Sequence, residues 1–207
     1  MISVPGKSVL VLEVRNDERR QVSFSAFDFI HNQFLWKDIQ ISEPWWVNLN
    51  SSTENTVVLS RFDNTNNPDS VTYIRLDLLT ASVLEGNFEE TVHATSEAGE
   101  IIAPTQYFQG TPYFETVSKF IQQKLDVRAV QAIEYLENSG LIFTSIYCQN
   151  VTGFENQLLV FDENGELQMQ EQLGRELKGL GFEAFFLQSG YLFYVKNKVE
   201  LVSYRIR

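Results

Sequence analysis

The sequence has little of the chemistry that usually betrays an active site. Its 207 residues contain a single cysteine, Cys148, two histidines, His31 and His93, and only 16 basic residues against 27 acidic ones. One cysteine excludes an internal disulfide, and in the apolar run LIFTSIYC a small buried side chain is its ordinary role. Two histidines far apart in sequence, without a second cysteine, do not suggest a zinc site. A formal net charge of −11 works against a nucleic-acid backbone or an anionic membrane as the main partner. The tightest basic group, Arg15, Arg19 and Arg20, is interleaved with Asp17 and Glu18 and reads as the solvated end of a hairpin.

Long apolar runs are missing too: nothing approaches the roughly 18 to 20 residues that would span a bilayer. The opening MISVPGKSVLVLEV has no clear basic region before its apolar stretch and no small-residue cleavage site after it. The cytoplasm is therefore the default expectation, and the periplasm if a leader has been removed. There is no phosphate loop, dinucleotide fingerprint or nucleophile elbow; Gly179-Leu180-Gly181 is a lone pair of glycines.

What is present is aromatic and β-forming. Sixteen Phe, eight Tyr and three Trp suit half-buried strands better than a helical bundle. The stretch Leu158 to Met169, LLVFDENGELQM, reads as two antiparallel strands around a turn carrying Asn164-Gly165. Weaker copies recur in SAFDFIHNQFLW, YIRLDLLTASVL and LVSYRI. In order along the chain, strands are expected in SVLVLEV, QVSFSAFDFI and QFLWKDIQ; in PWWVNLN, TVVLSRF, VTYIRLDL and SVLEGNF; in VRAVQAIEYL, LIFTSIYC, QLLVFD and ELQMQEQ; and in EAFFLQSG, YLFYVKN and KVELVSYRI.

Placed in register, Asp28, Asp77, Asp162 and Arg205 share one slot at the end of a third strand, at separations of about 49, 85 and 43 residues. The long gap is about twice a period of roughly 40 to 45 residues, the spacing of four-stranded propeller blades. The expectation is one all-β domain over residues 1–207, β-propeller-like, with about five blades of antiparallel strands. The hidden copy would lie between Glu89 and Leu125, where TVHATSE and EIIAPTQYF could pair around Ala98-Gly99. TPYFETVSKFIQQKL then reads as a short inserted helix near residues 112–124. Thr111 is its expected N-cap and Pro112 its first residue; Phe114, Val117, Ile121 and Leu125 follow helical spacing.

The strand ending in Asp, the short turn and a following strand that once ends in Leu35-Trp36 resemble the blades of quinoprotein-like and related β-propellers. WD-type signatures are absent. The segments YFQGTPYFETVSKFIQQKL, DENGE and FYVKNK of the C-terminal half are similar to an uncharacterised propeller-like family of Bacteroidetes. These resemblances imply architecture and no established activity; no cofactor is carried over.

Candidate chemistry is sparse. Asp63, Thr65, Asn67 and Asp69 alternate as in a calcium loop, but Pro68 stands where such a loop needs glycine and Ile74 where it needs glutamate. An ordinary polar turn and no metal is the reading. Asn50 and Asn150 head glycosylation-type triplets that without an export signal are plain loop residues. The expected binding residues are aromatic: Tyr107, Phe108, Tyr113 and Phe114 beside the helix, and Trp45-Trp46, which alternate in an expected strand and so point to opposite faces. The expectation is a monomeric scaffold with no catalytic motif that binds an unknown protein or small molecule, with neither nucleic acid nor membrane as partner. The alternative is a hydrolase or lyase with acidic residues in a central cleft.

Overall fold

A computed structural model describes residues 1–64, 67, 69–85 and 101–206, in two compact units, Met1–Glu100 and Ile101–Arg207. The described residues form an all-β chain with one short helix and several antiparallel sheets. None of their helices is long and apolar enough to cross a membrane.

The first unit begins with β1 (Ile2–Ser3), β2 (Val9–Asn16), β3 (Gln21–Asp28) and β4 (Gln33–Ile39), paired in that order. A three-stranded sheet follows, of β5 (Val47–Ser52), β6 (Thr56–Phe62) and β7 (Val71–Asp77). Alternation in β3 turns Val22, Phe24 and Ala26 into a core completed by Val57, Leu59 and Leu76 of the second sheet. Trp36 joins the two sheets: its indole N–H donates to the Leu78 carbonyl at 2.7 Å. TVVLSRF is a strand over its whole length, whereas the strand expected at PWWVNLN starts only at Val47. The reason is local. The Glu43 carboxylate accepts the backbone N–H groups of Trp45 and Trp46 at 2.9 and 3.0 Å and winds the chain into a turn. Of SVLEGNF, Val83 bridges Leu76, and the stretch beyond residue 85, with TVHATSE, His93 and Ala98-Gly99, lies outside the described residues.

The second unit contains β8 (Thr105–Phe108), the helix α1 (Pro112–Leu125), β9 (Ala132–Asn138), β10 (Leu141–Gln149), β11 (Phe154–Asp162) and β12 (Leu167–Leu177). Its five strands pair in the order β12-β11-β10-β9-β8, so β8 is the edge of the sheet that follows it. The expectation of a separate copy built on EIIAPTQYF is corrected accordingly: Tyr107 pairs with Ile133 and Phe108 with Ala132. A last sheet holds β13 (Phe185–Gln188), β14 (Tyr191–Lys196) and β15 (Glu200–Arg205).

The helix starts where its caps require. The Thr111 hydroxyl accepts the Phe114 N–H at 3.4 Å, Pro112 opens the first turn, and Asp126 closes the last one in the left-handed region at φ 56°. Phe114, Ser118 and Ile121 face inward, and the two apolar residues join Ile133, Ile146, Leu159 and Phe161 in one core. The hairpin joining β11 and β12 packs under this helix. Gly165 there has φ +73°, and a Cβ would stand 3.1 Å from the Phe120 ring, so both backbone and space call for glycine.

The four sheets share one register. Asp28, Asp77, Asp162 and Arg205 each end a strand, and each sits opposite the first residue of the preceding strand: Val9, Thr56, Leu141 and Tyr191.

Candidate functional site

The aromatic residues expected around the helix divide into a surface set and a core residue. Tyr107 and Tyr113 stack with ring centroids 5.1 Å apart and planes 18° apart, and Tyr135 flanks Tyr107 at 5.9 Å. Phe108 meets the edge of Phe182 at 6.3 Å. Tyr113 is 66% exposed and Phe108 50%. The strand β8 and the first turn of α1, joined through Gly110 (φ +89°), bring Tyr107 and Tyr113 together on the Ile133 side of the sheet, whereas Phe108, the next residue of the strand, turns with Ala132 to the opposite face. Phe114 is not among the surface rings: at 2% exposure it belongs to the core beneath the helix. Its position is set by the helical spacing itself, which puts Phe114 in line with Ile121.

Trp45 and Trp46 take different places in the first unit. Trp45 packs on the core, and the guanidinium groups of Arg15 and Arg20 lie 5.3 and 4.5 Å from its ring centroid. Arg15 also donates to the carbonyls of Trp45 and Val47 at 3.2 and 2.6 Å and to Asn48 Oδ1 at 2.6 Å, while Glu13 takes its Nε and the Leu49 N–H. The ring is thus held by the protein's own cations. Trp46 is 44% exposed. This arginine clasp was not legible in the sequence, because Arg15 and Trp45 stand 30 residues apart.

Several of the acidic residues hold backbone. Asp28 Oδ1 accepts from Ser8 Oγ and from the N–H groups of Ile30 and His31; Asp77 Oδ1 accepts from Leu79 and Thr80; Asp162 Oδ1 accepts from Asn164 and Glu166. These are Asx-type turns repeated at equivalent strand ends. The oxygens of Asp63, in the loop considered for calcium, take Arg61 and Thr72; Thr65, Asn66 and Pro68 of that loop lie outside the described residues. Among the described residues no three His, Cys, Asp or Glu side chains gather as a metal site.

One carboxylate is deeply buried. Glu134, 2% exposed, accepts the N–H groups of Glu183 and Ala184, the latter at 3.0 Å, and so anchors the loop before β13. Burial raises its pKa, against the lowering effect of those bonds and of the Gln106 and Ser145 side chains. Tyr147 pins the same loop: its hydroxyl donates to the Gly181 carbonyl at 2.9 Å and accepts the Gly181 N–H at 2.8 Å. A buried acid in the middle of AIEYLEN carries no sequence signal, since isolated strand glutamates are usually exposed.

The fold class defined by these features is an all-β chain of several antiparallel sheets with one short helix. A family model described as a domain of unknown function (DUF4905) matches residues 4–84. The match falls within the first unit, whereas the family resemblance read from the sequence rested on segments of the second. Neither a curated protein nor a solved structure matches the chain.

Proposed function

We propose that the chain is a non-enzymatic, propeller-like binding scaffold whose contact face lies on Tyr107 and Tyr113. The observation that carries the reading is the Tyr107–Tyr113 stack, whose Tyr113 ring is left open to solvent. Exposed aromatic clusters of this kind favour contact with a partner, because the rings offer large area with few torsions to freeze. Each sheet is an up-and-down meander with the same strand-end slot, closed in three of the four by an aspartate turn, as blades of one repeat would be. The turn roles of Asp28, Asp77 and Asp162 argue against those acids as catalysts. The scaffold would act as a monomer toward a protein or small-molecule partner.

The test is a thermal-shift and pulldown screen of the whole chain against Tyr113→Ala and, on the opposite face of β8, Phe108→Ala. Phe114→Ala is unsuitable, because removing a core ring would unfold the helix packing. Both variants should fold normally; Tyr113→Ala should weaken each detected interaction about tenfold or more, as truncated aromatic hot spots do, and Phe108→Ala should leave it unchanged. A Tyr113→Ala chain that keeps its fold and every interaction would remove this face from consideration.

A further inference from the structure

The strands that end in the shared slot differ in what lies beyond them. After Asp28 the chain turns back and β4 pairs with β3; after Asp162 it turns back and β12 pairs with β11. Beyond β7, Val83 bridges back to Leu76. Beyond β15, which ends at Arg205, no further strand pairs among the described residues. Burial follows the pairing. Val22, Phe24 and Ala26 of β3 and Leu158, Leu159 and Phe161 of β11 are buried, whereas no residue of β15 is, and Tyr204 is 57% exposed. This edge is also unprotected. The β3–β4 and β11–β12 ladders carry register shifts, which bend an edge strand away from further pairing. β14 and β15 pair in unbroken register from Tyr191–Arg205 to Lys196–Glu200, and β15 holds neither proline nor lysine.

The Ile206 N–H donates to the Gly190 carbonyl at 2.9 Å, so alternation along this regular ladder turns the N–H and C=O groups of Leu201, Ser203 and Arg205 away from β14. Among the described residues these groups meet no hydrogen-bond partner. Beside them opens a cleft of 660 Å³, lined by Tyr204, Ile206 and Leu192 on one side and by Phe143, Val160 and Met169 on the other. The facing wall runs out to β12, the outermost strand of its own sheet, while the sheet opposite stops at β15. A strand laid antiparallel along β15 would stand about 4.8 Å from it and share its pleat. Every second side chain then falls on the face of Tyr204 and Ile206, over the cleft. Unpaired backbone and apolar wall select the same occupant. The net charge of −11 works against a second copy of this chain in that place and favours a cationic segment.

We propose that the edge of β15 takes an extended segment of a partner protein as an antiparallel fourth strand, apolar at alternate positions to fill the cleft and basic at the positions between. Leu201 and Ser203 hold its backbone. The cleft lies on the Phe143 and Val160 face of the five-stranded sheet, and Tyr107 packs on the opposite one, so the proposal stands independently of the tyrosine face.

The experiment titrates the whole chain, by fluorescence anisotropy and NMR, with a labelled peptide of about eight residues that alternates valine with lysine. It should bind saturably and shift the amide signals of Leu201 and Ser203. With the valines over the cleft, the lysine backbone N–H groups face β15 and the valine ones face solvent. Methylating the lysine backbone nitrogens should therefore weaken binding about tenfold or more, and methylating the valine ones should leave it unchanged. Glutamate in place of lysine should weaken binding about tenfold. Ser203→Pro removes one outward N–H at a position where an edge strand tolerates proline, and should cost about fivefold, the worth of one hydrogen bond; Tyr113→Ala should cost nothing. The proposal fails if the peptide does not saturate, if the two methylated peptides bind alike, or if the glutamate peptide binds as tightly. A dimer of the chain that Ser203→Pro dissolves would overturn it in favour of a second copy. Should Ser203→Pro not fold, the pair of methylated peptides decides alone.

Discussion

Replacing Asp28 with alanine asks whether the strand-end aspartate holds its turn together. Oδ1 accepts from Ser8 Oγ at 2.8 Å and from the Ile30 and His31 N–H groups at 3.1 and 3.2 Å, and Oδ2 lies 2.7 Å from His31 Nδ1. Alanine leaves two backbone donors without their acceptor beside a residue only 9% exposed. Each such cap is worth about 1 kcal/mol, and partial burial of the orphaned donors adds to the loss, so the cost should be about 2–3 kcal/mol. All three tryptophans, Trp36, Trp45 and Trp46, lie in the first unit, so tryptophan fluorescence follows that unit. With a urea slope of about 1.5 kcal/mol/M, the midpoint should fall by about 1.3–2 M. Asp28→Asn keeps an oxygen at Oδ1 and should recover half or more. Burial works against ionisation of Asp28, but the bonds from His31 and Ser8 outweigh it and hold the carboxyl below its ordinary 3.8. The depressed value means that the ionic contribution is present above pH 3.8 and is lost as pH falls through the folded-state pKa. The gap between wild type and Asp28→Ala should therefore close in acid. A loss under about 0.5 kcal/mol, within the range of ordinary surface changes, or a gap that does not narrow in acid, would refute the turn-device reasoning.

Glu134 should give the opposite pH dependence. Its folded-state pKa is raised by burial above the ordinary 4.5, so its contribution is fully present below that value and is lost as pH rises through the folded-state pKa. Denaturation followed by tyrosine near-ultraviolet signal, to which every tyrosine except Tyr73 contributes from the second unit, should show stability falling with pH across that window. Glu134→Gln should flatten the slope, and a variant that keeps it would clear Glu134 as the source. Cys148 should be slow toward thiol reagents: burial first, and then the Glu155 charge, push its pKa from 9.0 to about 11. At pH 8 its thiolate fraction is about a hundredth of an ordinary thiol's, so labelling should be about a hundredfold slower than in urea; comparable rates in the two states would contradict the burial.

Local chemistry was readable where it acts within a few residues. The helix was legible from Thr111, Pro112 and Lys124 because capping is a local matter, and TVVLSRF was legible because turn residues bound it on both sides. The same logic misplaced Trp45 and Trp46. Their apolar pattern suits a strand, but the carboxylate of Glu43 captures both N–H groups and delays β5. Phe114 was open to a correct reading and drew the wrong role, since the spacing that made it helical also aligned it with Ile121 and hence with the core. Pairing across distance was not legible. Nothing in EIIAPTQYF announces that β8 adds to the sheet of β9, and nothing in AIEYLEN announces that Glu134 will reach a loop about 50 residues on.

The acidic composition takes on a different meaning once these contacts are known. Twenty-seven carboxylates suggest an acidic cleft when they are counted, yet the positioned ones act as backbone acceptors: Glu13 for Leu49, Glu43 for Trp45 and Trp46, Asp28, Asp77 and Asp162 for their turns, Glu134 for the loop before β13. A carboxylate that already accepts two or three hydrogen bonds is a poor metal ligand, because its lone pairs are committed. Where the strand-end slot holds aspartate, the carboxylate closes the turn by accepting its backbone N–H groups. Where it holds Arg205, the side chain cannot accept a backbone N–H, so the end of β15 lacks that closure.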